Sequence, residues 1–247
     1  MTQEEPLAGG AVKQVVRVGD TVRRVQDGNS GFVHRLLQHL EARGFAGAPR
    51  FLGVDERGRE ILTYVEGHVD WDRRDAPRLG ATDLAAAARL TRAFHDLTAG
   101  TPLAGRDEVV CHNDLSVRNS VFSAPAAPRE LVAFIDWDNA APGRRLHDVA
   151  HLAWQFVELG PTHPDAAQAG AHLRLIADAY GLGPERADLV ETILWWQDRS
   201  WRGIEAGAEA GDAAMQGLRD RGAVSDVRAS FAWTREHRVA FEAAVGS

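Results

Sequence analysis

Several things are scarce in this sequence. Cysteine occurs once, at position 111, so no disulfide can form within the chain, and a reducing compartment fits that usage. Lysine also occurs once, as Lys13, among 28 basic residues, so any role commonly filled by lysine has to be sought position by position among the arginines. A basic excess is missing. Aspartate and glutamate number 35, and the formal net charge is -7. That balance argues against a nucleic-acid partner, which a field of positive charge normally accompanies, and suits a neutral or cationic small molecule better. No apolar run approaches the roughly twenty residues that span a bilayer. The opening MTQEEPLAGG lacks the basic and apolar regions of a signal peptide. The expectation is a cytoplasmic protein without a membrane partner. Internal repeats and long low-complexity tails are absent as well.

What is present is enough for a real core: 247 residues, of which 45% are hydrophobic, room for one large domain or two lobes. Residues 11–18 are rich in valine and, with the turn Gly19-Asp20 and the segment 21–25, read as a hairpin. In 30–43, Phe32, Val33, Leu36, Leu37 and Leu40 recur at helical spacing and Gly44 can end the helix. Two more strands are expected over 50–54 and 60–65. After Gly67 the character changes. A helix capped by Thr82 presents Ala87, Leu90, Phe94 and Leu97 on one face. Two short strands then flank SAPAAPR, and from 144 onward the pattern is almost wholly helical. The segment 203–217, rich in Gly and Ala, reads as a loose helix or a loop. The fold class expected is α+β, with a small antiparallel sheet lobe over 1–66 and a larger, mainly helical lobe over 67–247.

The chemistry concentrates in CHNDLSVRNSVF, residues 111–122, and FIDWDNA, residues 134–140. Asp114 and Asn119 share one loop, and a hairpin would return Asp136 to the same end of the sheet as Asn119. An amide oxygen and a carboxylate form a hard-oxygen pair suited to magnesium, which takes one or two carboxylates and borrows phosphate oxygens. Asp114, beside that ion, could orient a hydroxyl and accept its proton, a division of labour known from phosphoryl transfer.

The pattern H-x-D-x-x-x-x-N at 112–119, a hairpin, then Ile135-Asp136-Trp137 resembles the catalytic core of the aminoglycoside phosphotransferase family, small-molecule kinases with a protein-kinase-like fold. Choline and homoserine kinases of that superfamily are similar. The resemblance covers most of the chain: the first hairpin, the helix at 30–43, LTYVEG as hinge, the helix before the catalytic loop, and GRRLHDVAHLAW, with Asp148 as acidic anchor, follow the family's order. It implies ATP and Mg2+ as cofactors and a small-molecule hydroxyl acceptor, an aminoglycoside-like or cationic compound among the candidates, with a monomer or a dimer both open. By position it makes Asp114 the catalytic base, Asn119 and Asp136 the metal ligands, the backbone of Thr63 and Val65 the adenine contact, and His112 and Asp148 structural supports.

The family's strand lysine is absent here. The strand reads TVRRV, so Arg24, with Arg23 as the alternative, takes its place. The helix at 30–43 lacks an early glutamate to pair with it, and the glycine-rich loop reduces to Gly9-Gly10. A kinase-fold binding or regulatory protein that lost its activity is therefore the alternative. Asp138 reads equally as a third acidic group near magnesium or as a solvated neighbour. His147 and His151, with Asp148 between them, resemble a zinc-protease motif, with aspartate where glutamate is usual and no third ligand at the common spacing. In WWQDRSW and beyond, Asp198, Trp201, Glu205 and Glu209 are open to two readings: core packing, or a pocket wall that attracts a cationic acceptor.

Overall fold

A computed structural model describes residues 4–7, 15–71, 78–124 and 129–246. Lys13 and Gly9-Gly10 lie outside the described residues. Strand β1 is Glu5–Pro6, β2 Val15–Val18 and β3 Thr21–Val25. The β2–β3 turn closes through Gly19, at φ 60°, a conformation glycine reaches without penalty. Helix α1, Ser30–Ala42, buries Val33, Leu36, Leu37 and Leu40 along one side. Strands β4 (Phe51–Val54) and β5 (Arg59–Thr63) complete an antiparallel sheet of order β1-β2-β3-β5-β4. Of the strand expected over 11–18, positions 11–14 lie outside the described residues; its remainder, helix α1 and the other expected strands are present, with β5 ending at Thr63 rather than Val65.

Helix α2, Ala81–Thr98, starts before Thr82, which is a helical residue and not a cap. The amide of Gly80 donates instead to Asp83 Oδ2, at 3.3 Å. Strand β6 (Val109–Cys111) pairs with β9 (Ala141–Gly143), and β7 (Ser120–Phe122) pairs with β8 (Leu131–Phe134), each as a two-stranded antiparallel ladder. The β6–β9 pairing, which brackets both chemistry-bearing loops, was not foreseen: three residues are too few to show alternation.

The remainder is helical: α3 (Arg145–Val157), α4 (Ala166–Tyr180), α5 (Leu189–Glu209), α6 (Ala213–Asp220), α7 (Ala223–Glu236) and α8 (Arg238–Gly246). Asp165 caps α4 by accepting from the amides of Ala167 and Gln168, and Gly181 ends it in the left-handed conformation. The ambiguous 203–217 segment resolves into the end of α5, a turn at Gly211 and the start of α6. Among the described residues no helix is long and apolar enough to cross a membrane.

The chain forms two compact units. One comprises residues 1–77 with 89–148, and the other 78–88 with 149–247. The five-stranded sheet and both short ladders belong to the first, and α4 to α8 belong to the second.

Candidate active site

Two loops of the first unit meet at one end of the β6–β9 and β7–β8 ladders. The first, 112–119, follows β6. Its start is fixed by Asp148 in the first turn of α3, whose carboxylate accepts from the amides of His112 at 2.6 Å and Asn113 at 2.8 Å. His95, near the end of α2, donates to the same carboxylate at 3.0 Å. Asp148 is fully buried. Burial alone would raise its pKa, but the bond and charge of His95 and the amide donors outweigh that and hold it below the usual aspartate range. The other side of the balance is His95, which burial pushes below its ordinary value.

His112 lies beneath this loop. Its ring packs 4.5 Å from Trp137, its Nε2 meets the Ile135 carbonyl at 3.2 Å, and burial pushes its pKa down to about 4. It is a wedge between the loops, fully buried and neutral. Trp137 is also core, donating to the Phe134 carbonyl at 3.0 Å. Asn113 adopts φ 61° and Asp136 φ 63°. Such left-handed positions are uncommon for residues with side chains, and asparagine and aspartate tolerate them best.

Asn119 Nδ2 donates to Asp114 Oδ2 at 2.9 Å and to the Asp114 carbonyl at 3.0 Å. The amide nitrogen is therefore committed to Asp114, and the Oδ1 atom is the one that can coordinate a cation. The Asn119 carbonyl accepts from Ile135 N at 2.9 Å, which ties the second loop, 135–140, to the first. Burial, and then the charge of Asp136, push the Asp114 carboxyl up to about 7. Asp136 is exposed, its side chain 49% accessible.

Arg24 is 7% exposed and reaches three carboxylates. Its Nε bonds Glu60, its Nη1 donates to Asp136 Oδ1 at 2.9 Å, and its Nη2 lies 2.6 Å from Asp138 Oδ1. Burial disfavours this charge, but Asp138, Glu60 and Asp136 more than compensate and lift its pKa further. Glu60, 1% exposed, also binds His34 Nε2 at 2.7 Å, and the imidazole stacks on Phe51 with centroids 3.7 Å apart. Glutamate thus reaches the strand arginine from the neighbouring strand instead of from α1. Arg24 and Glu60 face each other across β3 and β5, and α1 supplies His34 behind them. Sequence reading missed Glu60 because nothing in the listing says that β3 pairs with β5 rather than β4. It also missed Asn29, whose Nδ2 donates to the carbonyls of Asp138 at 2.8 Å and Ala140 at 3.0 Å.

The donor set suits a hard divalent cation. Asp136, Asp138 and Glu60 gather around one guanidinium, with the Asp114 carboxyl close enough to feel the charges of Asp136 and Asp138, so negative charge exceeds positive, and the available atoms are carboxylate and amide oxygens. A softer metal site is not offered by His95, Cys111 and Asp148, although their ligand atoms lie close together. The Asp148 carboxylate is engaged by two amides and His95, and the Cys111 thiol donates to the Arg144 carbonyl at 3.2 Å, with burial raising its pKa steeply. The zinc reading of His147 and His151 finds no third ligand among the described residues, and His151 is buried against Trp154 and Trp196.

Of the residues expected at a hinge, Thr63 N donates to the Arg50 carbonyl at 2.9 Å, while its Oγ1 accepts from Arg50 N at 2.9 Å. Val65 follows the strand and is half-buried. Asp198, Trp201 and Glu205 share one face of α5, in the second unit. Asp198 already pairs with Arg202 at 2.8 Å, and the Trp201 ring carries two guanidiniums, Arg202 at 4.3 Å and Arg228 at 4.9 Å. Glu205 is half-buried beside them.

The sequence pattern of the phosphotransferase enzyme family matches residues 102–189, which include both loops. A trifolitoxin immunity protein of Rhizobium leguminosarum bv. trifolii is 30% identical, over 99% of this chain and the whole of that protein. The GDP complex of an aminoglycoside 2′-phosphotransferase superposes with a TM-score of 0.62 at 13% identity, covering 96% of this chain and 94% of that one. An ethanolamine kinase of Plasmodium vivax does so at 0.58 and 12%, covering 83% and 76%.

Proposed function

Because this chain belongs to the phosphotransferase enzyme family, we propose that it transfers the γ-phosphate of ATP to a hydroxyl of a small molecule. Residues 1–66 then serve as the nucleotide-binding lobe and residues 67–247 carry the catalytic loop and the acceptor site. The observation that carries this reading is the convergence of Asp114, Asn119, Asp136 and Arg24.

In the proposed reaction the acceptor oxygen bonds to the γ-phosphorus, the bond from that phosphorus to the β,γ-bridging oxygen breaks, and the hydroxyl proton passes to Asp114. Asn119 holds the Asp114 carboxylate in place by its Nδ2 bond. The raised pKa keeps Asp114 basic enough to take the proton near neutral pH. Magnesium, when bound by Asn119 Oδ1 and the Asp136 carboxylate, supplies charge neutralisation to the phosphates. Arg24 stands where the family's lysine would meet the phosphates. Glu60 and His34 keep it aligned, as the helix glutamate does in relatives. Thr63 and Val65 offer backbone groups to the adenine. Orientation and fixed charge provide most of the rate.

The named relatives guide the choice of acceptor. One is called a toxin immunity protein and the structural neighbours phosphorylate an aminoglycoside or ethanolamine. A hydroxyl-bearing toxic compound is the acceptor class that reconciles an immunity role with phosphoryl transfer.

A second reading has its own support. Arg24 is tied to Asp136, the carboxylate magnesium would need, and to the neighbouring Asp138. A binding protein that kept the fold and confers immunity by capture would have no reason to release them. A thermal-shift titration separates the two. An ATP-induced rise in Tm that grows with magnesium, together with ADP release on adding an acceptor, supports the kinase. No shift at millimolar ATP, with or without magnesium, would leave the capture reading standing.

A further inference from the structure

The second unit contains a pocket of about 310 Å³ lined by Arg78, Leu79, Gly80, Ala81, Phe156, Val157, His163, Gln168 and His172. None of the residues assigned to phosphoryl transfer lines it. Its floor is apolar, from Leu79, Phe156 and Val157, and its remaining wall carries hydrogen-bond donors. The size is at the lower end of small-molecule sites.

His163 gives the pocket its chemical character. The residue is 6% exposed. Its Nδ1 accepts from the amide of Asp165 at 3.2 Å, so the neutral ring carries its proton on Nε2. Among the described residues nothing accepts from that Nε2–H, and the ring lies in the pocket wall. A donor that faces a cavity without a protein acceptor is a reason to look for one in a ligand. The same tautomer excludes a metal at this nitrogen, since its lone pair is taken up by the proton.

The neighbouring groups repeat the preference. Arg78 donates to Glu158 Oε2 at 2.7 Å and to the Thr162 carbonyl at 2.8 Å, which pins the guanidinium at the pocket while engaging only part of its donor set. Ala81 lies in the first turn of α2, where Asp83 already accepts from Gly80 N, so the helix start contributes wall rather than charge. Gln168 and His172, four residues apart, share one face of α4 and complete the rim. Burial, followed by the positive charges of Arg78 and His172, holds the His163 pKa below its ordinary value, and burial does the same to His172. The pocket therefore gathers hydrogen-bond donors from Arg78, His163, Gln168 and His172, with one guanidinium, that of Arg78, sharing its charge with Glu158.

We propose that this pocket binds a small organic anion, its carboxylate or phosphate group on His163 Nε2–H and Arg78, and its carbon body over Leu79, Phe156 and Val157. The site is separate from the phosphoryl-transfer centre and does not depend on that assignment.

The test follows the imidazole ¹H–¹⁵N resonances of the full-length chain during titration with sodium benzoate, phenyl phosphate and benzyl alcohol. The expected result is saturable shifts of His163 and His172 with at least one of the two anions, at concentrations up to about 20 mM. Benzoate against phenyl phosphate decides which head group is preferred. Gln168→Glu places a like charge on an exposed rim residue, and His163→Phe keeps a ring against Trp233 while removing the donor. Each is expected to weaken binding by about tenfold or more, with unchanged Tm for Gln168→Glu. Three results would overturn the proposal: no saturable shift with either anion, equal binding of benzyl alcohol, or unaltered anion affinity in Gln168→Glu. The first of these would mean that His163 Nε2–H is satisfied by water alone.

Discussion

Asp114 is held between two demands. In the proposed role of base it must be ionised near neutral pH, yet burial and the nearby Asp136 push its carboxyl up to about 7. A raised carboxyl pKa means the folded state binds its proton more tightly than the unfolded chain does. Stability from this residue is full below the unfolded pKa near 3.8 and is lost as pH rises through about 7. Asp114→Asn removes that loss and keeps an oxygen for Asn119 Nδ2. It should lower turnover by about 10²–10⁴-fold while raising stability at pH 8 by about 1–2 kcal/mol. That is well under the roughly 4 kcal/mol ceiling set by three pH units, because the residue keeps some solvent contact. The gain should shrink steadily toward pH 5, and paired activity and urea-unfolding measurements check both halves. Arg24 presents the reverse case. Arg24→Met leaves Glu60, 1% exposed, facing only His34, and brings Asp136 and Asp138 together without their shared cation. A loss of about 3 kcal/mol is expected from the stranded charge, read from urea midpoints. A variant as stable as the parent would mean the arginine contributes nothing to the fold.

The elements most exposed to single changes are the connections that carry the site. Gly67 has φ 150°, and a Cβ there would overlap the Phe122 carbonyl oxygen. The chain passes so close to β7 because His68 and Phe122 exchange amide and carbonyl bonds, both at 2.8 Å. Gly67→Ala must break that pair or distort β7, whose first residue follows Asn119 directly. The expected cost is about 2–3 kcal/mol, with faster amide exchange at His68 and Phe122 as the specific readout; an unchanged exchange rate at both amides would contradict it. The 112–119 loop has the same dependence on one group, since Asp148 holds its first two amides. These contacts explain why the sequence resemblance was informative about the elements. Helix α1, the β2–β3 hairpin and α3 announce themselves by periodicity, turn residues and the HDVAH run. The β6–β9 ladder and the true start of α2 do not, because short ladders form only when their partners are already positioned.

At the scale of the whole molecule, buried neutral histidines set the response to acid. His112, pushed down to about 4, and His95, also lowered, refuse protons that the unfolded chain accepts near its ordinary 6.5. Their contribution is present above that value and is lost as pH falls through the folded-state pKa. His112 alone accounts for up to about 3 kcal/mol across that interval. Asp114 runs the other way, so stability should peak between pH 6 and 7.5 and fall steeply by pH 4.5, as urea midpoints across that range would register. His112→Gln, which cannot take up a proton, should flatten the acid limb. The sequence by itself determined the α+β class, most of the order of elements, and the two loops that hold the candidate residues Asp114, Asn119 and Asp136. Those follow from local spacing, which a linear listing preserves. Tertiary structure alone decided that Glu60 on β5 partners Arg24, that His34 and Asn29 brace the site, that Trp201 is already covered by arginines, and that His163 opens a donor-lined pocket. Each of these depends on which strands pair and which helix faces meet across long sequence separations, and that is fixed by packing, not by the neighbouring residues.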